Sequence, residues 1–281
     1  MHRIKLKNTA ICVAIVIAAA SCISRNAGDF TSEEKALIAE ALVSDGALFP
    51  EGTMRVLTVC DSADLAVLRS PSTDFSAKAL MSDEYAALCS LMVATVTHPS
   101  QDGVGIAGPQ VGLNRRVVAV QRFDKEPVAG GGKPVEDGTS VPDAGDGGTE
   151  EGEVDYPFEV YPNVRIVWAS DSLAYGPEGC LSVPGRGGDV LRSQEIVIEY
   201  ALVGSRDGGS ECSEKGYGSG SGLRSGKGEC SGKDGCARTG ECSGMGQDGI
   251  TMVRDTVRGF TAVIFQHEID HLDGVLYIDR L

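Results

Sequence analysis

The chain has 281 residues, and its 40 acidic side chains against 25 basic ones give a formal net charge of −15. This acidity, with no basic stripe along the sequence, argues against nucleic-acid binding. An apolar fraction of 42% is enough to build a buried core, and the length allows one or two domains.

Residues 1–22 have the pattern of an export leader. Basic residues precede an apolar run from Ala10 to Ala20 that is too short to span a bilayer but fits a signal peptide. The run ends in AASC, which is similar to a bacterial lipoprotein cleavage box without its usual Leu, so we expect export and a lipid anchor at Cys22. An uncleaved anchor or a buried helix would give the same pattern. Alternatively, translation starts at Met54 and the protein is cytoplasmic.

Residues 23–55 form an N-terminal arm in which TSEE, at 31–34, is a capping box for a short helix through Ala41. The next helix is predicted in SDEYAALCSLMVATV, where apolar side chains recur at helical spacing and Ser82 is placed to cap the N-terminus. We expect Cys89 on this helix, and Cys60 before it, to be buried.

Several segments have the β-branched, alternating composition of strands. They are RVLTV, RVVAV, NVRIVWA, EIVIEYALV and GITMV. With the helices they predict an α+β fold.

Two segments between predicted strands look like low-complexity insertions. Residues 124–155 hold ten acidic and two basic residues with eight glycines, which predicts disorder. Residues 204–249 include 15 glycines. Four cysteines of this second insertion form two disulfides if the protein is exported and remain free thiols if it is cytoplasmic; they are Cys212, Cys230, Cys236 and Cys242.

The stretch QHEIDHLDG, at 266–274, predicts a metal site. His267 and His271 are one helical turn apart and project from the same face, with Glu268 beside them as a candidate general base. Asp273 and Gly274 then close the helix, because glycine favours the left-handed C-terminal cap.

A catalytic metal usually has a third protein ligand and an open position for water. Downstream, Asp273 and Asp279 are available but do not follow a protease pattern. Upstream, Cys180 lies in the Gly-rich stretch GPEGCLSVPG, and a thiolate beside two imidazoles suits zinc or ferrous iron. A cysteine in such a turn is otherwise often inert. A second Gly-rich stretch, GVGIAGPQVG at 103–112, contains Gln110 and lacks the features of a phosphate-binding loop.

Three motifs occur in one order: GVGIAGPQ at 103–110, EGCLS at 178–182 and QHEIDH at 266–271. Together they resemble peptide deformylase, whose members have G-x-G-x-A-x-x-Q, E-G-C-L-S and Q-H-E-x-D-H in this order. The resemblance implies a catalytic domain over residues 56–281, with antiparallel or mixed sheets packed around a central metal-binding helix.

The resemblance also implies a reaction, the hydrolysis of the formyl group from N-formylmethionyl peptides with release of formate. Cys180, His267 and His271 would bind one divalent metal, most commonly Fe²⁺, with Zn²⁺, Ni²⁺ or Co²⁺ as substitutes. Glu268 would accept and return the proton. The oxyanion donors would be the Gln110 side chain and the Leu181 backbone N–H.

The remaining site residues follow from the same resemblance. Val104, Gly105 and Gly179 would lie along the peptide, and Val263 and Ile264 would line the methionine pocket, although core packing explains these two equally well. Glu178 would support the ligands by pairing with Arg192; alternatively it is a solvated surface carboxylate.

We expect a monomer. Two rival functions remain at this point: a metalloprotease that cleaves ordinary peptide bonds, and an exported lipoprotein that binds peptides without catalysis.

Overall fold

The computed structural model describes residues 27–43, 50–101, 103–127, 155–203 and 250–281. Its helices are α1 (Ser32–Val43), α2 (Ser62–Leu68), α3 (Ala77–Leu80), α4 (Asp83–Val96) and α5 (Gly259–Leu272), with short 3₁₀ turns at Gly108–Val111 and Tyr277–Asp279. Its strands are β1 (Gly105–Ala107), β2 (Val117–Gln121), β3 (Phe158–Pro162), β4 (Arg165–Ala169), β5 (Leu173–Gly179), β6 (Gly187–Ser193), β7 (Glu195–Val203) and β8 (Ile250–Arg258).

The described strands form three antiparallel sheets, ordered β1-β2-β3, β4-β7-β8 and β5-β6. Helix α5 packs against strands of all three, namely β1, β2, β4, β6, β7 and β8. The predicted α+β class is therefore confirmed, with the helix that carries both histidines at the centre of the fold.

Two apolar clusters form most of the core. The first joins α1 and α4 to the sheet of β1 and β2; among its members are Ile38, Leu88, Met92, Val96 and Ile106. The second surrounds α5 and includes Phe265, Ile269, Ile196, Ile198 and Val257. Since α5 is covered on several sides, burial of its polar side chains without partners costs free energy.

The N-terminal arm packs into the first cluster. Ile38 of α1 is 2% exposed. Glu34 accepts hydrogen bonds of 2.6 and 2.8 Å from Arg115, whose guanidinium is buried and also donates to the Asp29 carbonyl. The predicted capping box forms as well, because Thr31 and Glu34 exchange backbone-to-side-chain hydrogen bonds.

Most of the predicted elements are present. Ser82 caps α4 by accepting the Tyr85 N–H, and the strands β2, β4, β7 and β8 fall in the expected segments. Strands β3 and β4 are separate because the chain turns between them at Asn163, which has a positive φ of 54°.

Two expectations were wrong. RVLTV is not a strand, since its N–H groups bond to loop carbonyls such as those of Gln110 and Ser182 rather than to a neighbouring ladder. Cys60 is exposed and Cys89 only partly buried. Cys60 follows this irregular segment in a turn at the surface, so its side chain meets solvent instead of the core.

Several predictions concern residues outside the described part of the chain. These are the leader with Cys22, most of the first insertion, and the second insertion with its four cysteines. Among the described helices, none is both long and apolar enough to cross a bilayer.

Candidate active site

Helix α5 positions the two histidines, and local contacts fix where it lies. Gly259 begins the helix with a φ of 59° and Gly274 follows its end with a φ of 74°. The side chain of Gln266 bonds to both backbone groups of Ser193 on β6, at 3.0 and 2.8 Å. These paired bonds hold the helix in register against the β5–β6 hairpin.

Cys180 meets the two histidines at the end of β5. Its Sγ is 3.2 Å from Nε2 of His271, and one donor atom from each of Cys180, His267 and His271 lies within 4.8 Å of the other two. In a tetrahedral site with ordinary metal–sulfur and metal–nitrogen bonds, such atoms are about 3.3–3.6 Å apart. The three side chains can therefore surround one ion after small movements.

A chain of ion pairs orients His267. Its Nδ1 lies 2.8 Å from Glu178, which leaves Nε2 facing the cysteine. Glu178 accepts bonds of 2.7 and 2.9 Å from Arg192, and Arg192 donates to Asp270 at 2.6 Å. Both Glu178 and Arg192 are buried, so the carboxylate is not a solvated surface group.

The charges of this chain shift the pKa values of its members. Burial alone would raise the pKa of Glu178, but hydrogen bonds from Arg192 and His267 lower it to about 2. Burial disfavours the charged form of His267, yet its hydrogen bonds to Cys180 and Glu178 raise its pKa to about 10. For His271, burial and the positive charge of His267 hold the pKa well below its usual value. His271 is thus a neutral imidazole, the form that ligates metals, whereas His267 would have to release its Nε2 proton when a metal binds.

Glu268 lines the same cavity as Cys180 and His267. Burial raises the pKa of its carboxyl group to about 7. Its Oε2 is buried without a hydrogen-bond partner among the described atoms. Gly105 of β1 lies directly against it, because a Cβ at that position would be 2.6 Å from Glu268 Oε1. The glycine leaves room for a carboxylate that can take a proton near neutral pH.

Gln110 presents its amide N–H₂ to the cysteine. Its Oε1 accepts the Ala107 N–H at 2.8 Å, so the Nε2 group points the other way, 3.3 Å from Ser182 Oγ and 3.6 Å from Cys180 Sγ. Leu181, beside the cysteine, lines the same cavity, and its backbone N–H has no acceptor within the described ranges. Two hydrogen-bond donors are therefore available in the region beside the thiol.

One cavity of about 380 Å³ joins these groups. Every residue predicted to contact the peptide lines it: Val104, Gly105, Gly179, Val263 and Ile264. Gln110, Glu178, Cys180, Leu181, His267 and Glu268 also line it. His271 and Arg192 do not line the cavity.

Sequence reasoning missed several neighbours of the site. Phe260 and Pro177 line the cavity, and Phe260 could have been found because it is one further step along the face that carries Val263 and His267. Asp270 connects Arg192 to Arg280, and the ring of Tyr277 stacks on that of His267 with centroids 5.9 Å apart. The contacts of Asp270 and Tyr277 are tertiary, so no local sequence pattern predicts them.

The residues fit a divalent metal. One thiolate and two imidazoles are the donor set of zinc or ferrous sites, and Glu268, whose Oε2 has no hydrogen-bond partner among the described atoms, lines the same cavity as Cys180 and His267. Three possible metal donors, a buried carboxylate and two hydrogen-bond donors in one region are the components of a mononuclear metallohydrolase.

Comparison with known proteins identifies the family. Residues 55–207 and 239–281 match the model of the polypeptide deformylase family. A peptide deformylase from Caulobacter vibrioides is 28% identical over 227 residues, covering 81% of this chain and 87% of that protein. One from Roseiflexus castenholzii is 30% identical over 190 residues, covering 66% and 68%. A crystal structure of the Acinetobacter baumannii class I type b enzyme bound to Met-Ala-Ser aligns with 82% of this chain and 98% of its own, at 24% identity and a TM-score of 0.49.

The chain belongs to the polypeptide deformylase family. Peptide deformylases are metal-dependent enzymes that remove N-formyl groups from nascent peptides. The predicted family, enzyme class and reaction are therefore confirmed.

Proposed function

We propose that this chain hydrolyses the formyl group of N-formylmethionyl peptides by means of the residues that surround the 380 Å³ cavity. The proposal rests mainly on one observation: three possible metal donors lie within reach of one another, and two of them line the same cavity as a buried carboxylate with one partnerless oxygen and an oriented amide. No other arrangement in the described residues brings metal donors together in this way.

The metal would be bound by Cys180, His267 and His271. We propose Fe²⁺ as the ion, with Zn²⁺, Ni²⁺ or Co²⁺ able to replace it. When bound, the ion supplies a Lewis acid that lowers the pKa of a water molecule and polarises the formyl oxygen. Glu178 supports the site by fixing His267 in the tautomer that leaves Nε2 free, and Arg192 holds Glu178 in turn.

Glu268 is the proposed general base and acid. Its raised pKa, about 7, lets it take the proton of the attacking water and return it at neutral pH. The water oxygen adds to the formyl carbon, the carbon–nitrogen bond breaks, and Glu268 gives its proton to the departing amine. The products are formate and a peptide with a free N-terminus.

The oxyanion that forms during addition needs hydrogen-bond donors already in place. The Nε2 group of Gln110 and the backbone N–H of Leu181 lie beside the required region. Because the Ala107 N–H fixes the amide orientation, Gln110 needs little reorganisation when charge develops. Loss of one such donor costs about 10²- to 10³-fold in rate.

The cavity wall suits an extended peptide with an apolar first side chain. Gly105 and Gly179 permit close approach of a peptide backbone, and Val104 lies beside them. Val263 and Ile264 offer an apolar surface to methionine from the first turns of α5.

Compartment and assembly belong to the same proposal. The leader pattern at 1–22 supports export and lipidation at Cys22, and packing of α1 in the core supports an arm that is part of the mature chain. We propose a monomer. N-terminal sequencing of the native protein tests the leader, since a start at Met54 would contradict export, and sedimentation tests the monomer.

The metal and the reaction can be tested together. Metal-depleted protein should regain formate release from formyl-Met-Ala-Ser with one equivalent of metal under anaerobic conditions and should leave acetyl-Met-Ala-Ser intact. Cobalt-loaded protein should have a thiolate-to-metal absorption band that Cys180→Ser abolishes and Cys60→Ser retains. Cleavage of ordinary peptide bonds instead would support a metalloprotease.

A further inference from the structure

An apolar surface leads away from the cavity along the outer face of the β5–β6 hairpin. Leu173, Tyr175, Pro177 and Gly179 follow one another at alternate positions of β5, and the last two line the cavity. Leu191 of β6 lies opposite Tyr175 in the ladder. We call Leu173, Tyr175 and Leu191 the apolar strip.

The apolar strip is open to solvent. The exposed fractions are 52% for Leu173, 73% for Tyr175 and 41% for Leu191. Single exposed apolar residues are common on proteins, but three that share a sheet face and adjoin a cavity are characteristic of a binding surface. The other face of the same hairpin is used internally, since it carries Glu178 and Arg192.

The backbone beside the strip is also available. Within the described part of the chain, β5 pairs only with β6, so the groups along its other edge have no partner strand. An unpaired edge next to a peptide-binding cavity can accept an extended peptide as an added strand. A peptide whose N-terminus lies beside Gly179 and Cys180 would run toward Leu173, antiparallel to β5.

We propose that the apolar strip binds apolar side chains of the substrate peptide several residues after the methionine, which rests on the proposed deformylase function. The occupant is the extended, formylated chain itself, because the strip is continuous with the cavity wall through Pro177 and Gly179. The strip therefore selects among substrates by their later residues.

The strand geometry assigns the positions. Paired antiparallel residues share a sheet face, and each strand advances about 3.3 Å per residue. Helix α5 contacts the Glu178 face of the hairpin, so a methionine side chain that reaches Val263 and Ile264 points to that face. If the methionine lies beside Glu178, the fourth peptide residue lies beside Tyr175 and the sixth beside Leu173. The fifth and seventh residues point to the other face. A tripeptide ends before the strip.

The test uses two isomeric peptides of identical composition, formyl-Met-Ala-Ser-Gly-Phe-Gly-Leu and formyl-Met-Ala-Ser-Phe-Gly-Leu-Gly. The first places its large apolar side chains at positions five and seven, the second at four and six. Steady-state formate release by the metal-loaded, full-length protein gives kcat and KM for each. Because cross-strand contacts of this kind are modest, we expect the second peptide to have a kcat/KM about three- to tenfold higher.

The gain should lie in KM with kcat unchanged, since the contacts are equal in ground and transition states. Tyr175→Ser and Leu173→Ser should bring the ratio between the two peptides to about one. Leu42→Ser is the matched control: Leu42 is 55% exposed on α1, and its loss should leave the ratio as in the wild type. Taking a ratio cancels any general loss of active protein.

Three results would overturn the inference. Equal kinetics for the two peptides would contradict it, as would a ratio that persists in both strip variants. A dimer that Leu173→Ser dissociates, with a peptide ratio of one, would assign the strip to a second copy of the chain. Hydrolysis of formyl-Met-Ala-Ser in the same experiment separates this failure from failure of the proposed function, because the tripeptide is too short to reach the strip.

Discussion

Ile38→Ala tests whether the N-terminal arm is part of the folded domain. Ile38 is 2% exposed on α1 and belongs to the same apolar cluster as Leu88 and Met92 of α4. Truncation of a buried isoleucine removes its transfer free energy and leaves a cavity, which together cost about 2–5 kcal/mol. For a domain of this size, each kcal/mol lowers Tm by about 2–4 °C. We therefore expect Tm to fall by about 4–20 °C.

Calorimetry or circular dichroism of the metal-loaded protein measures this change, with Leu42→Ala as the control. Leu42 lies on the same helix but is 55% exposed, so its truncation should change stability by no more than about 0.5 kcal/mol. A fall in Tm for Ile38→Ala no larger than that for Leu42→Ala would refute the packing of α1. A start of translation at Met54 would then be the better account of the sequence.

Three further predictions concern Gly105 in the active site, the thiol of Cys89 and the ion pair of Arg55 and Asp64. Gly105→Ala puts a Cβ 2.6 Å from Glu268 Oε1 and should lower kcat/KM about 100-fold while metal content, measured by elemental analysis, stays the same. Burial raises the pKa of the Cys89 thiol to about 11, so its alkylation at pH 8, followed by peptide mass spectrometry, should be slow. Hydrogen bonds from Arg55 lower the pKa of Asp64. The stability that this carboxylate contributes is therefore present above its unfolded pKa and is lost as pH falls through the folded value.

Each of these three predictions has a control measurement or a result that would contradict it. Loss of metal in Gly105→Ala would mean that the site, rather than the base, is disturbed. Cys60 is exposed and should be alkylated quickly, so equal rates for Cys60 and Cys89 would contradict the lower exposure and raised pKa of the Cys89 thiol. The free energies of unfolding in urea of wild type and Asp64→Asn should differ at pH 6, and the difference should shrink as the pH falls; a difference that stays constant would exclude the carboxylate charge as its source.

Elements whose signals are local could be predicted from the sequence. The cap at Ser82, the left-handed Gly274 and the one-turn spacing of His267 and His271 each depend on a few adjacent residues. The placement of Cys180 near the histidines could be expected only because three motifs occurred in one order.

Elements decided by tertiary contacts could not be predicted. The alternating segment RVLTV looks like a strand, but its backbone partners are the loops at Gln110 and Ser182. Conversely, β5 contains Gly176 and Pro177, which disfavour strands, and still pairs with β6 along its full length. Tyr277 lies outside the three motifs, and its contact with His267 depends on how the chain after α5 folds back.

Formate release tests the central claim most directly. Protein purified without oxygen and carrying one metal ion should release formate from formyl-Met-Ala-Ser, whereas Glu268→Gln should keep the metal and lose release by several orders of magnitude. Metal bound in both proteins with no formate from either, or equal rates from the two, would contradict a deformylase in which Glu268 moves the proton.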